Sequence, residues 1–317
     1  MSDILFNEQD YLAANPDVAD AVAAGQFKSG QAHYESFGKK ENRMRNLFGG
    51  MSRVDKAMYQ LDKKGLGLEI GPSHNPVAPK KKGFNVHILD HLDTNALRNK
   101  YAMHGVKIEN IEDVDFVWSG EPLPELIGQQ SCYDWIIASH VIEHVPDLVS
   151  FLQQCASLLK PDGKLSLIIP DKRYCFDYFN PPSSTGEFLD AFDLKRKRPS
   201  VGKVFDHVSN ACKRGGIAWA ADTTDELTFV HSMEQAKALW HQARNSEDYI
   251  DVHCWRFTPE SFHLILSDMN TLQLNDLGIV KEFETTGCEF YVTLGKAINP
   301  TTMDRLLMLQ QSKASDV

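Results

Sequence analysis

Several features that mark common protein classes are missing from this sequence. No C-x-x-C pair occurs among its six cysteines, which lie at positions 132, 155, 175, 212, 254 and 288. No apolar run is long enough to span a bilayer, and no signal peptide is recognised. We therefore expect reduced thiols in a cytoplasmic protein that has no transmembrane segment.

An excess of positive charge is also missing. The chain carries 33 Lys and Arg against 43 Asp and Glu, a formal net charge of −10. This balance disfavours a protein whose main task is to bind phosphate backbones. We interpret the basic clusters at 80–82 and 195–198 as solvated loops, and we expect no nucleic-acid partner.

Short apolar segments alternate with amphipathic stretches from residue 65 onward. The strand candidates are 65–71, 84–90, 114–120, 133–140, 164–170, 276–284 and 288–296. This alternation predicts an α/β fold with a doubly wound, mostly parallel, Rossmann-like sheet and a C-terminal antiparallel hairpin. Residues 171–256 follow the fifth strand without such a pattern, so we predict a large irregular insertion that carries the substrate site as a lid.

The first 48 residues differ in composition from the rest of the chain. Asn15-Pro16-Asp17 is a helix-start signal, and two short helical stretches are predicted to end at Gly25 and Gly38. We therefore predict a small helical module at 1–48, followed by the main domain at 49–317. The module resembles a segment attached to bacterial glycosyltransferases, which implies docking to such a partner. A simple helical cap on the main domain is an equally good interpretation.

In a doubly wound sheet, ligands bind outside the carboxyl ends of the strands. A tight turn follows Glu69 and Gly71, where the backbone can approach a ligand closely. Asp90 lies nineteen positions beyond Gly71, where a carboxylate can accept hydrogen bonds from a ribose diol. Together these signals favour a cofactor that contains ribose. A nicotinamide-dependent oxidoreductase, the nearest alternative of another class, fits less well because residues 71–76 read GPSHNP and lack the three-glycine fingerprint.

The segments LEIGPSHNP, HILD and SHVIEHVPD…LLKPDG resemble class I S-adenosylmethionine-dependent methyltransferases. The resemblance implies S-adenosyl-L-methionine as the cofactor. Ser73 stands where many members of that family carry a second glycine. The implied cofactor contacts are Glu69, Gly71, Pro72 and Ser73 for the methionine end, Asp90 for the ribose, Ser119 and Gly120 for the adenine, and Ser139 and His140 for the sulfonium.

The stretch ASHVIEHVPD contains the H-x-x-E-H spacing of His140, Glu143 and His144. A zinc-peptidase site would require a helix through both histidines, but a strand is predicted before them and Pro146 follows. We instead predict a loop and first helical turn at the crevice. Some ubiquinone-pathway and small-RNA O-methyltransferases with a similar acid-x-x-Glu-His segment hold a divalent ion there. A metal site, a general base and structural bracing all remain open.

Methyl transfer to a hydroxyl requires an acceptor oxygen that is aligned and deprotonated. The candidate catalytic residues by position are His140, His144, His253 and Asp171. Aromatic residues beside charges flank the insertion, and we predict that Tyr174, His253 and Trp255 face the crevice.

The segments PDKRYCFDYF and HCWRFTPESF resemble a branch of methyltransferases that often accompany glycosyltransferases in polysaccharide synthesis. This resemblance implies O-methylation of a sugar or glycan hydroxyl in the biosynthesis of a bacterial surface polysaccharide. Another small-molecule acceptor is the alternative.

Overall fold

The computed structural model describes residues 6, 8–41, 43, 51–296 and 304–316. The chain divides into two compact units, Met1–Lys56 and Ala57–Val317. The predicted domain boundary after residue 48 lies outside the described residues, so it stays a prediction. Among the described residues, no helix has both the length and the apolar character that crossing a membrane requires.

The first unit is built from short helices around an aromatic centre. The buried Tyr11 hydroxyl bonds to His33 Nδ1 at 2.9 Å, and the Glu8 carboxylate accepts the backbone N–H of Gln31 at 2.9 Å. Gly25 adopts a left-handed conformation (φ 75°) where the sequence predicts that a helix ends. The elements are α1 (Glu8–Ala14), α2 (Pro16–Ala23), α3 (Gly30–His33), a π-helical turn (Tyr34–Gly38) and α4 (Arg53–Ala57), which contains the division between the units.

The second unit is centred on a seven-stranded sheet. In chain order the strands are β1 (Gly67–Ile70), β2 (Val86–Asp90), β3 (Phe116–Val117), β4 (Tyr133–Ser139), β5 (Leu159–Pro170), β6 (Cys212–Arg214), β7 (Leu227–Phe229), β8 (Leu277–Thr286) and β9 (Glu289–Lys296). The large sheet has the order β3-β2-β1-β4-β5-β9-β8, while β6 and β7 pair separately. Strands β1 to β5 are parallel, and β9 and β8 are antiparallel to their neighbours. The predicted mostly parallel, Rossmann-like sheet with a C-terminal hairpin is confirmed.

Helices surround this sheet, and polar side chains cap their first turns. Asp147, Ser184 and Thr258 each accept a backbone N–H from the first turn of the helix that follows them. The helices are α5 (Thr94–Tyr101), α6 (Leu123–Ile127), α7 (Leu148–Leu158), α8 (Thr185–Asp193), α9 (Val201–Ser209), α10 (Met233–Asn245), α11 (Pro259–Thr271) and α12 (Arg305–Ala314).

Strand β4 runs through the middle of the hydrophobic core. Residues 135–138 are all buried, because helices cover both faces of a central parallel strand. Helix α7 packs its apolar face on the same core. The core therefore fixes the position of the turn that follows β4, where the candidate site lies.

The prediction that 171–256 is irregular is wrong. This segment contains α8, α9, α10 and the β6–β7 hairpin. The sequence of helix α10 shows only a weak periodicity of apolar residues, because the buried side chains of this helix are the small Ala236 and Ala243. Helix α7 ends at Leu158, because β5 already pairs Leu159 with Tyr133 and the register then shifts before Lys164.

We expect Gly67→Ala to destabilise the fold. A Cβ at this position would lie 2.1 Å from the Trp135 ring, which is fully buried and cannot move away. Overpacking of this kind costs ~1–3 kcal/mol, measurable by urea denaturation. The matched control is Gly186→Ala in α8, where the nearest atom is 3.9 Å away and added helix propensity favours folding. Equal stability of the two variants would contradict this account of the β1–β4 packing.

Candidate active site

The carboxyl ends of the parallel strands meet at one edge of the sheet. Ile70 of β1 lies opposite Leu89 of β2 and Ala138 of β4. The residues just beyond these positions, including Gly71, Asp90 and Ser139, therefore lie at the same edge. The structure brings together the strand ends from which the cofactor site was predicted.

The loop after β1 takes left-handed backbone at two positions. Gly71 has φ 65°, and a Cβ there would meet Val141 Cγ2 at 2.9 Å. Ser73 has φ 46°, a conformation that favours glycine, at the position where many family members carry one. Pro72 is buried between them, and its carbonyl accepts the N–H of Asn75 at 2.9 Å. Ser73 therefore takes the backbone conformation that a glycine would supply.

Glu69, near the end of β1, binds the loop that follows this strand. Its carboxylate is fully buried and accepts the backbone N–H groups of Val77, at 2.6 Å, and Ala78, at 3.0 Å. Because both oxygens bind the protein backbone, Glu69 stabilises the loop. The predicted contact of Glu69 with the methionine end of the cofactor stays a prediction.

Asp90 connects the end of β2 to the same loop. Its Oδ2 accepts the N–H of Ser73 at 2.9 Å, and its Oδ1 accepts from the N–H and the Nδ1 of His91, at 2.8 and 2.6 Å. A carboxylate offers about four acceptor positions. Asp90 can therefore bind a ribose hydroxyl while it keeps these contacts.

The next two strand ends also carry turns. After β3, Gly120 has φ 101°, and the Ser119 N–H donates to Glu121 Oε2 at 2.8 Å. After β4, His140 has φ 53°, and its Nε2 lies 2.7 Å from Glu289 Oε2. A left-handed histidine is uncommon, so the chain reverses sharply just beyond Ser139.

Residues 140–147 form a turn, and helix α7 begins only at Leu148. We predicted that Glu143 and His144 lie in a first helical turn. This prediction is wrong, because both residues precede the helix. Pro146 explains the difference, because it disfavours the helical conformation of Val145. The peptidase interpretation has no helix to support it.

This turn buries the Glu143 carboxylate among imidazole rings. Glu143 Oε1 lies 3.6 Å from His140 Nδ1. It also lies 4.0 Å from His144 Nε2 and 4.0 Å from His253 Nε2. Glu143 is fully buried, and neither oxygen forms a hydrogen bond within the part of the chain that the structure describes. Such an unpaired buried carboxylate is costly and marks a candidate functional group.

Residues 249–255 of the insertion hold the turn in place. The Cys254 N–H donates to the Glu143 carbonyl at 2.7 Å, and the Trp255 Nε1 donates to the Val145 carbonyl at 2.6 Å. The Tyr249 hydroxyl donates to the His144 carbonyl at 3.0 Å. The insertion therefore fixes the turn after β4 through the backbone carbonyls of that turn.

The three residues predicted to face the crevice have different surroundings. His253 joins Glu143, whereas Trp255 belongs to the hydrophobic core and packs on Phe188 with ring centroids 4.1 Å apart. The Arg173 guanidinium lies 5.5 Å from the centroid of the Tyr174 ring. The prediction is wrong for Trp255, because its indole is apolar enough to complete the core.

Asp171 is not available as a catalytic base. It is fully buried and accepts from Arg173 Nε at 2.9 Å and Nη2 at 2.5 Å, and from Thr285 Oγ1 at 2.6 Å. These charge-assisted bonds engage both carboxylate oxygens with the protein, so Asp171 has a structural role. We remove Asp171 from the candidate catalytic residues.

Two carboxylates that were not identified from the sequence lie beside the histidines. His144 Nδ1 lies 2.8 Å from Asp251 Oδ1, and His253 Nδ1 lies 2.5 Å from Asp177 Oδ2. Asp251 lies two positions before His253, which was the available signal. Asp177 had none, because it is a lone acid in an aromatic segment whose partner lies 76 positions away.

These neighbours shift the pKa values within the site. Burial lowers the pKa of His144, but the Asp251 and Glu143 carboxylates outweigh burial and leave it raised. Burial raises the pKa of Asp177, but His253 and Arg256 outweigh it and leave the pKa well below its ordinary value. Burial, together with nearby His253, lowers the pKa of His207 to about 3. His207 is therefore neutral at physiological pH.

Glu143, His144 and His253 could hold a cation. Each offers one ligand atom, and these atoms lie within 4.8 Å of one another. Two imidazoles and one carboxylate suit zinc, manganese or iron better than magnesium, which prefers oxygen. The predicted set of His140, Glu143 and His144 is corrected, because His253 takes the place of His140, which binds Glu289.

A family model described as a methyltransferase domain matches residues 41–271. A highly reducing polyketide synthase of Aspergillus nomiae is 34% identical over 41% of this chain and 5% of its own length. The mitochondrial ubiquinone biosynthesis O-methyltransferase of Bos taurus is 33% identical over 28% of this chain and 24% of its own length.

The chain therefore spans at most about a quarter of these curated relatives. A solved S-adenosylmethionine-dependent methyltransferase from Aquifex aeolicus is 13% identical, with 76% of this chain and 88% of that chain covered and a TM-score of 0.37. Since the family model covers most of the sequence, the chain belongs to the methyltransferase domain family and contains a class I S-adenosylmethionine-dependent methyltransferase domain.

Proposed function

We propose that this methyltransferase transfers a methyl group to a hydroxyl of a sugar or glycan, in the biosynthesis of a bacterial surface polysaccharide. The observation that carries O-methylation is the buried Glu143 carboxylate, faced by the nitrogens of three histidines. The same turn reaches the cofactor loop, where the Val141 side chain packs against Gly71. Proton-accepting groups thus adjoin the predicted methionine end of the cofactor.

A sugar hydroxyl is a poor acid, so its proton must be removed or its pKa lowered. S-adenosylmethionine supplies an electrophilic methyl group when bound, and Asp90 would hold its ribose. His140 and His144 are partly exposed, whereas Glu143 and His253 are buried. Because His140 and His144 are more exposed than Glu143, their imidazoles can contact an acceptor. The Glu143 carboxylate would stabilise the positive charge that an imidazole gains with the proton.

A divalent cation at Glu143, His144 and His253 would instead lower the pKa of the acceptor hydroxyl. The donor set favours this alternative as much as it favours a histidine base. Structural bracing of the turn is the third alternative, and the experiments below separate the three.

Aromatic side chains beside polar groups support a sugar acceptor. Phe176 packs 4.6 Å from the His253 ring, and the Arg214 guanidinium lies 5.8 Å from both the Tyr178 and Trp219 rings. Flat aromatic faces with polar neighbours suit the two surfaces of a sugar ring. Another small-molecule acceptor is the second candidate, since a matched relative is named for ubiquinone biosynthesis.

The glycan proposal extends to the first unit and to the site of the reaction. We propose that the N-terminal helices dock a glycosyltransferase, as the resemblance of that segment implies. Cys132, Cys155, Cys175, Cys212 and Cys254 are thiols outside any disulfide, which supports a reaction in the cytoplasm.

The acceptor class is tested by incubating the enzyme with a panel of nucleotide sugars and a panel of phenols. Release of S-adenosylhomocysteine, with a mass gain of one methyl group on a sugar, is the expected result. Methylation confined to the phenols would reject the glycan proposal and retain O-methylation.

The Asp90→Ala variant tests the proposed ribose contact. Loss of a charge-assisted hydrogen bond costs ~1.5–3 kcal/mol, so the affinity for S-adenosylhomocysteine should fall about ten-fold or more. Isothermal titration calorimetry measures this change, with Asp113→Ala as the control because the Asp113 side chain is 86% exposed. Unchanged affinity in Asp90→Ala would remove Asp90 from the site.

Chelation and histidine substitutions test how the hydroxyl is deprotonated. A general base predicts that turnover survives the chelator, falls by ~10²-fold or more in His144→Ala or His140→Ala, and rises with pH through the raised pKa of His144. An essential cation predicts loss with the chelator and recovery with zinc, manganese or iron. Chelator-resistant, full turnover in both variants would leave bracing as the surviving account.

A further inference from the structure

We infer that Asp177 is a positioning residue that fixes the imidazole of His253 so that its Nε2 lone pair faces Glu143. This inference rests on the proposed function of the Glu143 cluster. It adds a residue from the start of the insertion that touches neither the acceptor nor the cofactor in that proposal.

The geometry places the two ring nitrogens of His253 between two buried acids. Nδ1 lies 2.5 Å from Asp177 Oδ2, and Nε2 lies 4.0 Å from Glu143 Oε1. All three residues are buried. A neutral imidazole has one protonated and one unprotonated nitrogen, so its hydrogen-bond partners decide which nitrogen carries the proton.

Asp177 is the stronger acceptor of the two acids. Its Oδ1 accepts from Arg256 Nε at 3.2 Å and from Asn180 Nδ2 at 3.1 Å, so a permanent positive charge keeps the carboxylate ionised. An ionised carboxylate can only accept, so in the neutral imidazole of His253 the single proton lies on Nδ1. Nε2 then presents its lone pair to the Glu143 cluster, as a cation ligand or a proton acceptor requires.

Other contacts prevent His253 and Asp177 from rearranging. The His253 backbone N–H donates to His207 Nδ1 at 3.1 Å, and the Phe176 ring packs on the imidazole with centroids 4.6 Å apart. Asn210 Nδ2 donates to Asn180 Oδ1 at 2.9 Å, which orients the amide that binds Asp177. The network has a fixed direction of donors, from Arg256 and Asn180 toward Asp177.

His144 has a looser counterpart of this arrangement. Its Nδ1 lies 2.8 Å from Asp251 Oδ1, but the Asp251 side chain is 66% exposed and has solvent as a competing partner. The two histidines are therefore inequivalent. His253 is the fixed member of the pair, and His144 is the member that can move to meet an acceptor.

Histidine nitrogen-15 NMR of the full chain at pH 8 tests the inference without an acceptor. We expect the Nδ1–H tautomer of His253, assigned by its loss in His253→Gln. In Asp177→Asn, the amide can donate to Nδ1, and the tautomer should change to Nε2–H. Turnover should then fall by ~10–100-fold, the usual effect of removing such a partner, while binding of S-adenosylhomocysteine is retained.

Asp193→Asn is the matched control, since Asp193 is an exposed acid at the end of α8 in the same insertion. A double-mutant comparison separates positioning from a general structural role. Asp177→Asn should cause no further loss of turnover in a His253→Gln background, because it acts through that ring. A purely structural role predicts that the two losses multiply and that the melting temperature falls without a change of tautomer.

An Nε2–H tautomer of His253 in the unsubstituted protein would overturn the inference, even if Asp177→Asn failed to fold. Full turnover of a folded Asp177→Asn variant would overturn it as well. If the unsubstituted enzyme methylated no hydroxyl but showed the Nδ1–H tautomer, the proposed function would fail and the positioning of His253 would stand.

Discussion

The buried carboxylate of Glu143 is the constraint on which the rest of the site depends. Removing a charge from water costs several kcal/mol unless nearby groups compensate for it. The described residues give this carboxylate no hydrogen bond, and only imidazole nitrogens at 3.6–4.0 Å approach it. The arrangement is therefore poor for stability, and it becomes favourable when a proton or a cation reaches the imidazoles. Catalytic sites commonly store such a cost.

The remainder of the fold holds this costly group in place. Strand β4 carries the turn on a fully buried stretch of sheet, and residues 249–255 bind three successive carbonyls, from Glu143 to Val145. The insertion also supplies Asp177, Asp251 and His253. The segment that we propose to select the acceptor thus also contributes residues to the cluster around Glu143. A change in acceptor specificity would therefore alter the catalytic groups directly.

The sheet could be predicted from the sequence because its strands are local patterns. Apolar runs bounded by polar turns located β1, β2 and β4, and a single acid at the end of β2 located Asp90. Helix α10 was missed because its buried positions are alanines, which give little hydrophobic contrast. The backbone bonds of Glu69 could not be predicted, because spacing places a residue near the crevice but does not reveal which backbone donors it binds.

The cluster around Glu143 shows the same limit more strongly. The H-x-x-E-H spacing identified Glu143 and His144, which are neighbours in the chain. It could not show that His253 would displace His140 from the set, since that exchange depends on how a distant segment folds over the turn. Asp177 carried no sequence signal, because its role exists only through a contact formed across 76 positions.

The measurement that tests this account most directly is turnover and stability of Glu143→Gln. The substitution keeps the size of the side chain and removes the buried charge. The account predicts a loss of turnover of ~10²-fold or more, with unchanged binding of S-adenosylhomocysteine and an equal or higher melting temperature. Full turnover, or a lower melting temperature together with lost cofactor binding, would show that Glu143 braces the fold and that the chemistry lies elsewhere.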